Sequence, residues 1–170
     1  VGDGRLVLAY SGDGRILAGG SNRGAIYVFD VDQGRRIQSI PAFADAVLAL
    51  AFDPTNSDRL VSTSNTGTIR VWQISSGRLQ AELHTRGGQI PSVSLSSDGK
   101  ILAAAANGIE LWDLSARHRV AVLPESNGAV FVEFSADDRT ITSLHRDGNL
   151  RSWVLSTRQL RSRSEIPSLR

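Results

Sequence analysis

Residues 107–118 read NGIELWDLSARH, a short run in which apolar and polar side chains alternate before a Trp-Asp pair. Three other stretches end in a similar way: GAIYVFDVDQG at 24–34, GTIRVWQISSG at 67–77 and GNLRSWVLSTR at 148–158. Alternation with a period of two is typical of a β-strand. The recurrence predicts that one strand-containing unit is repeated four times along the chain.

An aromatic residue near the end of each of these strands defines the period of the repeat. The residues are Phe29, Trp72, Trp112 and Trp153, separated by 43, 40 and 41 positions. A fixed period of this size indicates a repeat architecture. Turn sequences such as SGDG and SSDG lie between the shorter apolar runs of each unit. Because such residues end one strand and begin another, each unit is predicted to hold four short strands.

A single four-stranded sheet cannot bury both of its apolar faces, so the sheets are expected to stack radially on one another. The predicted fold is all-β, a β-propeller with four antiparallel blades. The blades are expected at about 5–40, 46–83, 90–123 and 129–164, with a tail at 165–170. The aromatic of each unit is expected to pack between blades.

The composition excludes several classes of protein. The chain has no cysteine, which removes disulfides, thiolate nucleophiles and cysteine metal sites. It has no run of about 18 apolar residues, so no membrane span is expected. It starts at Val1 and contains no methionine, so we expect a segment of a longer protein, located in the cytoplasm.

Positive charge is concentrated at the C-terminal end of the chain. Residues 139–170 carry seven basic and two acidic groups, whereas the whole chain has a net charge of only +2. A solvated surface is the plain interpretation of this bias, and an arginine patch for an acidic partner or nucleic acid is the alternative.

The stretch SLSSDGKILAAAANGIELWDLSARHRVAVL at 94–123 resembles the WD40 (G-protein β-subunit-like) repeat. Four such units cover nearly the whole chain, which is similar to a divergent, bacterial-type propeller segment. Family propellers usually have more than four blades, so the resemblance implies an open part of a larger propeller. A closed four-blade ring and a ring completed by a dimer are the alternatives.

The resemblance also implies a polar network of His, Ser or Thr, Asp and Trp within each blade. The present sequence keeps it only in part, and Ala104 stands at the serine position of the third unit. The blades are therefore expected to rely mainly on apolar packing. The matching positions are Ser62 and Trp72 in the second unit and Ser143, Asp147 and Trp153 in the fourth.

No residue pattern indicates catalysis. His84, His118 and His145 lie in different units and lack the spacing of a metal site. We expect no enzyme activity, no cofactor and no metal, and the expected function is a protein- or peptide-binding scaffold, the sensor or interaction part of a larger protein. A nucleic-acid-binding propeller and a propeller enzyme with a channel site are the alternatives.

Loops on a rigid scaffold carry binding, and aromatic and arginine residues are enriched at interface hot spots. The resemblance places two sets of loops on one face of the propeller. Eight candidate partner-binding residues follow from it: Asn22, Arg23, Phe43, Asp45, Arg86, Gln89, His145 and Arg146.

An open stack of blades has a bare sheet face at each end. The chain is therefore expected to need further blades or self-association to complete the ring. The residues expected on the bare faces are Leu17, Ile26 and Val28 in the first blade and Ile141, Val154 and Leu160 in the last.

Overall fold

The computed structural model describes residues 6–165, and all regular secondary structure in that range is β-strand. The predicted all-β fold of four antiparallel four-stranded blades is confirmed. Residue 5 and residues 166–170, expected at the first strand and in the tail, lie outside the described residues. The strands are β1 Val7–Tyr10, β2 Ile16–Gly20, β3 Ala25–Asp30, β4 Arg35–Pro41, β5 Val47–Asp53, β6 Asn56–Ser64, β7 Thr68–Gln73, β8 Arg78–His84, β9 Ser92–Leu95, β10 Ile101–Ala105, β11 Ile109–Asp113, β12 His118–Val122, β13 Ala129–Phe134, β14 Thr140–His145, β15 Asn149–Val154 and β16 Gln159–Glu165.

Each sheet is a simple antiparallel meander in which strands follow one another in sequence order. We call the sheets blade 1 (β1–β4), blade 2 (β5–β8), blade 3 (β9–β12) and blade 4 (β13–β16). In every blade a register shift lies just before or at the aromatic of the third strand, opposite the fourth strand. Such bulges increase the local twist, which helps stacked sheets to follow a radial arrangement.

The turns between first and second strands share a Ser-x-Asp arrangement in blades 1, 3 and 4. In blade 3 the hydroxyl of Ser96 donates to Asp98 at 2.7 Å, and the main-chain N–H of Lys100 donates to the same carboxylate at 3.0 Å. These hydrogen bonds lower the pKa of Asp98 to about 2, with a smaller contribution from the Lys100 charge. Blades 1 and 4 repeat the serine–aspartate contact, at Ser11 and Ser135. Local side-chain bonding therefore fixes these turns.

Three apolar cores hold the stack together, one between each pair of successive blades. In each core the aliphatic face of one blade meets the face of the next blade that carries its tryptophan. Ile26 and Val28 of blade 1, for example, pack in the same core as Trp72 of blade 2. Trp72, Trp112 and Trp153 are all buried in this way. Stacking therefore buries surfaces that an isolated sheet would leave in water.

Leu17 and Val154 lie on the open faces of blades 1 and 4 as expected, because Leu17 pairs with Phe29 and Val154 shares its face with Ser152. The other four residues expected there lie on the covered side. Ile26, Val28 and Ile141 are completely buried against neighbouring blades. The open face of blade 1 also carries Leu8 (63% exposed) and Tyr10 (59%). The expectation failed for those four because alternation shows which residues share a face, but not which neighbour covers that face.

Phe29 lies on the open face of blade 1 and is 37% exposed, unlike the three tryptophans. It occupies the repeat position, but no blade formed by residues 6–165 packs on that side. The open face of blade 4 is more polar, because Thr142, Ser152 and Ser162 take the places that Val61, Val71 and Ala81 occupy in blade 2. Val154 is half-buried, and Leu160 packs into the core shared with blade 3.

Within residues 6–165 the four blades do not close into a ring. Innermost strands β1, β5, β9 and β13 lie side by side and line an axial depression. Its wall includes Leu8, Leu50, Val93 and Phe131. The axis of the stack is therefore largely apolar at this level.

Candidate interaction face

One end of the stack gathers two kinds of loop, and we call this end the loop face. Main-chain hydrogen bonds tie the loops to one another. The N–H of Thr85 donates to Gly67 at 2.9 Å, and the N–H of Arg146 donates to Gly128 at 2.9 Å. The loops are the inter-blade connections 42–46, 85–91 and 123–128 and the hairpin loops 21–24, 65–67, 106–108 and 146–148.

Side chains two positions before the tryptophans brace the inter-blade loops. Arg70 donates to the carbonyl of Ala42, and Arg151 donates to the carbonyl of Glu125. Blade 3 has Glu110 at this position. Its carboxylate accepts a hydrogen bond from the main-chain N–H of Arg86 at 3.2 Å, whereas the two arginines donate. The loops are thus held by charged groups of either sign, and a charge-assisted bond is the strong kind.

The Glu110 carboxylate is almost completely buried and has a cationic partner. Arg119 on the next strand lies 3.0 Å from one carboxylate oxygen, the same oxygen that accepts the Arg86 N–H. The second oxygen, Oε2, is buried and has no hydrogen-bond partner. An unsatisfied buried carboxylate oxygen is unusual and calls for a donor.

A cleft of about 480 Å³ lies on the loop face between blades 2, 3 and 4. Arg86 and Gln89 line it from the loop after blade 2, Asn107 from the hairpin loop of blade 3, and Arg146 from the hairpin loop of blade 4. A second depression of about 230 Å³ adjoins it and shares Arg86 and Asn107 in its wall. Glu110 lines this second depression. The two form one continuous groove across three blades.

The main chain approaches closely beneath Arg86. A Cβ placed on Gly87 would meet the backbone nitrogen of Asn107 at 2.5 Å, so only glycine lets the two loops touch here. This contact sets the position of Arg86 over the cleft. The residues that the sequence analysis missed are Asn107 and Gly87. The Gly-Gly pair at 87–88 in an inter-blade loop was the signal available for them.

Three predicted binding residues, Arg86, Gln89 and Arg146, are therefore brought together in one cleft, and all three are exposed. Asn22 and Arg23 are also exposed, in the hairpin loop of blade 1, but they lie outside the cleft.

Phe43 and Asp45 are only partly accessible. The Phe43 ring is half-buried against the core of blades 1 and 2, with the Arg70 guanidinium 4.9 Å from its centre. Asp45 is half-buried, and one of its carboxylate oxygens has no hydrogen-bond partner. Both residues lie in the 42–46 loop, away from the cleft. They contribute to the packing of that loop rather than to an open surface.

His145 corrects another expectation, because it lies at the end of β14 and is only 2% exposed. Its Nε2 lies 2.6 Å from the Ser143 hydroxyl, and its Nδ1 lies 3.0 Å from the Asn127 carbonyl. Burial lowers the pKa of His145 below 6.5, against the opposing effect of the Asn127 carbonyl. A neutral imidazole that donates to Asn127 and accepts from Ser143 satisfies both contacts. The residue is therefore part of the blade rather than of the surface.

The polar network expected of Ser143, Asp147 and Trp153 is not formed. Ser143 bonds to His145, while the Trp153 indole N–H donates to the Pro124 carbonyl at 2.9 Å. Asp147 is paired with the guanidinium of Arg151 and lies 3.4 Å from that of Arg163. Arg151 thus engages the aspartate that the resemblance assigned to the tryptophan and serine.

The described residues contain neither a group of metal ligands nor a membrane-spanning helix. Within residues 6–165, no three His, Asp or Glu side chains are grouped so that they could hold a metal ion. Among the described residues, no helix is long and apolar enough to cross a membrane.

Comparison with known proteins assigns the repeat. Residues 34–73 match the profile of the WD domain, G-beta repeat, a segment that runs from the outer strand of blade 1 through the third strand of blade 2. This repeat is of the WD40 type. The matched unit therefore joins the end of one blade to the start of the next.

Three curated relatives are similar to the chain, and the name of one of them describes it as a WD-repeat protein. Autophagy-related protein 16 of Arabidopsis thaliana is 30% identical over 95% of this chain and 32% of its own length. Target of rapamycin complex subunit wat1 of Schizosaccharomyces pombe is 26% identical over 62% of this chain and 35% of its own. WD repeat and SOCS box-containing protein 1 of Danio rerio is 31% identical over 60% of this chain and 25% of its own. The chain thus spans about a third or less of each.

Proposed function

We propose that the chain is a non-catalytic scaffold that binds a protein or peptide segment on its loop face, as the interaction part of a larger protein. WD40 repeats and WD-repeat relatives support an interaction scaffold in general. The observation that carries the proposal is the groove described above. Four exposed polar side chains from three loops converge there, and hydrogen bonds hold those loops in place: Arg86, Gln89, Asn107 and Arg146.

The nucleic-acid alternative has weaker support. Of the basic groups after residue 138, Arg139 lies 3.8 Å from Asp137, and both Arg151 and Arg163 lie against Asp147. Two carboxylates therefore face three of these arginines, so part of the positive charge is neutralised within blade 4. Phosphate backbone binding depends on unneutralised positive charge, which releases counterions.

Selection from a random peptide display library tests the proposal. Peptides that bind the chain are expected to be enriched, and their binding is expected to fall when Asn107 and Gln89 in the groove are replaced by alanine. Gln33→Ala, an exposed glutamine in the turn between β3 and β4, is the matched control. If no peptide is enriched, or if all three variants bind alike, the loop face is not the binding surface.

A further inference from the structure

The loop-face cleft is one-sided in charge. Of the residues that line it, Arg86 and Arg146 are the charged ones, and both are exposed. The rest of the wall is glycine, alanine, proline and the amides of Gln89 and Asn107. Within residues 6–165, neither arginine forms a side-chain ion pair.

Two of the three acidic groups near the cleft, Asp147 and Glu110, are paired with other arginines. Asp147 follows Arg146 directly, but its carboxylate is paired with Arg151. Glu110 pairs with Arg119 beneath the neighbouring depression. Glu125 is exposed in the loop before blade 4 and lies outside the cleft lining. Arg86 and Arg146 are therefore left with two uncompensated positive charges over one concave surface.

The second depression of the groove contains a hydrogen-bond acceptor, the Glu110 carboxylate, in its wall. The unpartnered Oε2 of Glu110 is buried in the wall of that depression and can only accept a hydrogen bond from a donor. A ligand that spans the groove is therefore favoured when it places an anion at the arginines and no negative charge near Glu110. An extended peptide with one acidic side chain meets both conditions, because its main chain carries no net charge. A nucleic-acid backbone offers phosphates in a row and would bring negative charge towards Glu110.

We propose that Arg86 and Arg146 together bind an anionic side chain, carboxylate or phosphate, carried by an extended peptide that lies along the groove. This inference rests on the proposed function and names the chemistry of its partner. Guanidinium groups bind both anions with two parallel hydrogen bonds, which lysine cannot do. The Gly87 contact holds the main chain beside Arg86, and the hydrogen bond to Gly128 holds the main chain of Arg146.

The test uses the chain and an array of dodecapeptides with random flanks and one fixed central residue: glutamate, phosphoserine, glutamine or lysine. Glutamate or phosphoserine peptides are expected to retain about tenfold more protein than glutamine peptides, and lysine peptides the least. Comparing the glutamate and phosphoserine arms identifies which anion is preferred. Equal retention on all four arms would overturn the inference.

Variants assign the effect to the two arginines. Arg86→Gln and Arg146→Gln are each expected to reduce retention on the anionic arm about tenfold. Arg78→Gln is the matched control, because Arg78 is an exposed arginine at the start of β8, outside the groove. All three side chains are exposed, and melting curves should show that the variants fold alike. An anion preference that persists in the first two variants, or is lost in the third, contradicts the inference.

Two further outcomes separate the inference from the proposed function. Peptide binding that depends on Asn107 but not on the central residue would keep the scaffold function and reject the anion site. A short DNA duplex is the remaining probe. Binding of that duplex above the peptides, with an equal loss in Arg78→Gln and Arg86→Gln, would reject both, because phosphate contacts from any exposed arginine would then explain the affinity.

Discussion

Ser62 accepts the indole N–H of Trp72 at 2.8 Å inside blade 2, and the equivalent pair in blade 3 cannot form. Ala104 takes the serine position there, and the Trp112 N–H is buried without a partner. Two blades with nearly the same backbone therefore differ by one buried hydrogen bond. An unmade bond of this kind costs about 1–3 kcal/mol.

The first prediction restores that bond. Ala104→Ser is expected to raise the free energy of unfolding by about 0.5–1.5 kcal/mol, because the new hydroxyl accepts from Trp112 as Ser62 does from Trp72. Ser62→Ala is the converse variant and is expected to cost about 1–3 kcal/mol. Urea denaturation measures both. A loss of stability in Ala104→Ser would mean that the site has no room for the extra oxygen.

The second prediction concerns the packing of Trp112, which lies in the core between blades 2 and 3. Trp112→Ala is expected to cost roughly 3–5 kcal/mol, the range for deleting a large buried aromatic side chain. Trp112→Phe keeps most of the apolar contact and removes the unpartnered N–H, so it should cost much less. A urea midpoint nearly unchanged in Trp112→Ala would show that the indole contributes no packing.

The third prediction separates backbone conformation from steric contact at two glycines. Gly14 and Gly24 both have positive φ, at 72° and 79°. A Cβ on Gly14 would meet nothing within 4 Å, whereas on Gly24 it would clash with the Phe43 carbonyl of the next loop. Gly14→Ala is expected to cost about 1–2 kcal/mol from backbone strain alone. Gly24→Ala should cost at least about 1 kcal/mol more, because the loop must move.

Thermal melting compares these two variants directly. Equal losses would show that the 42–46 loop yields without cost and does not need the close approach at Gly24.

The fourth prediction is a dependence of stability on pH from His145. Its folded-state pKa is lowered by burial, so below about pH 6.5 the unfolded chain takes up a proton that the folded chain does not. The contribution of His145 to the free energy of unfolding is therefore fully present above about pH 6.5 and is lost as the pH drops below that value. His145→Gln should flatten this part of the curve, whereas His118→Gln, an exposed histidine, should not. Urea midpoints at about pH 7.5 and about pH 5 give the comparison; the same slope in all three proteins would contradict the assignment.

The fifth prediction concerns the apolar open face of blade 1. Leu8 and Tyr10 are exposed there, where each following blade is covered by its predecessor. The isolated chain is expected to self-associate through this face, and Leu8→Gln with Tyr10→Ser should reduce the association measured by light scattering. Val122→Gln, an exposed valine at the edge strand of blade 3, is the control. A monodisperse wild-type monomer would rule out association through blade 1.

The sequence allowed the strands and their faces to be predicted, because both depend on local pattern. The strand pattern can be recognised within one repeat of about forty residues. Its markers are the regular spacing of Trp72, Trp112 and Trp153 and the Ser-x-Asp turns. The candidate site was predictable only in part. Arg86 and Arg146 were assigned to loops of one face, but their shared cleft depends on Gly87 touching Asn107, a contact between blades.

By itself, the sequence determined an all-β fold of four antiparallel four-stranded repeats. The tertiary structure alone decided which side of each blade is covered, why Phe29 is exposed while Trp153 is buried, and how His145 is withdrawn from the surface. The physical reason is the separation along the chain over which each kind of interaction acts. Alternation and turn chemistry act between near neighbours in the chain, whereas burial depends on which sheet lies opposite. That choice is made by packing between residues about forty positions apart.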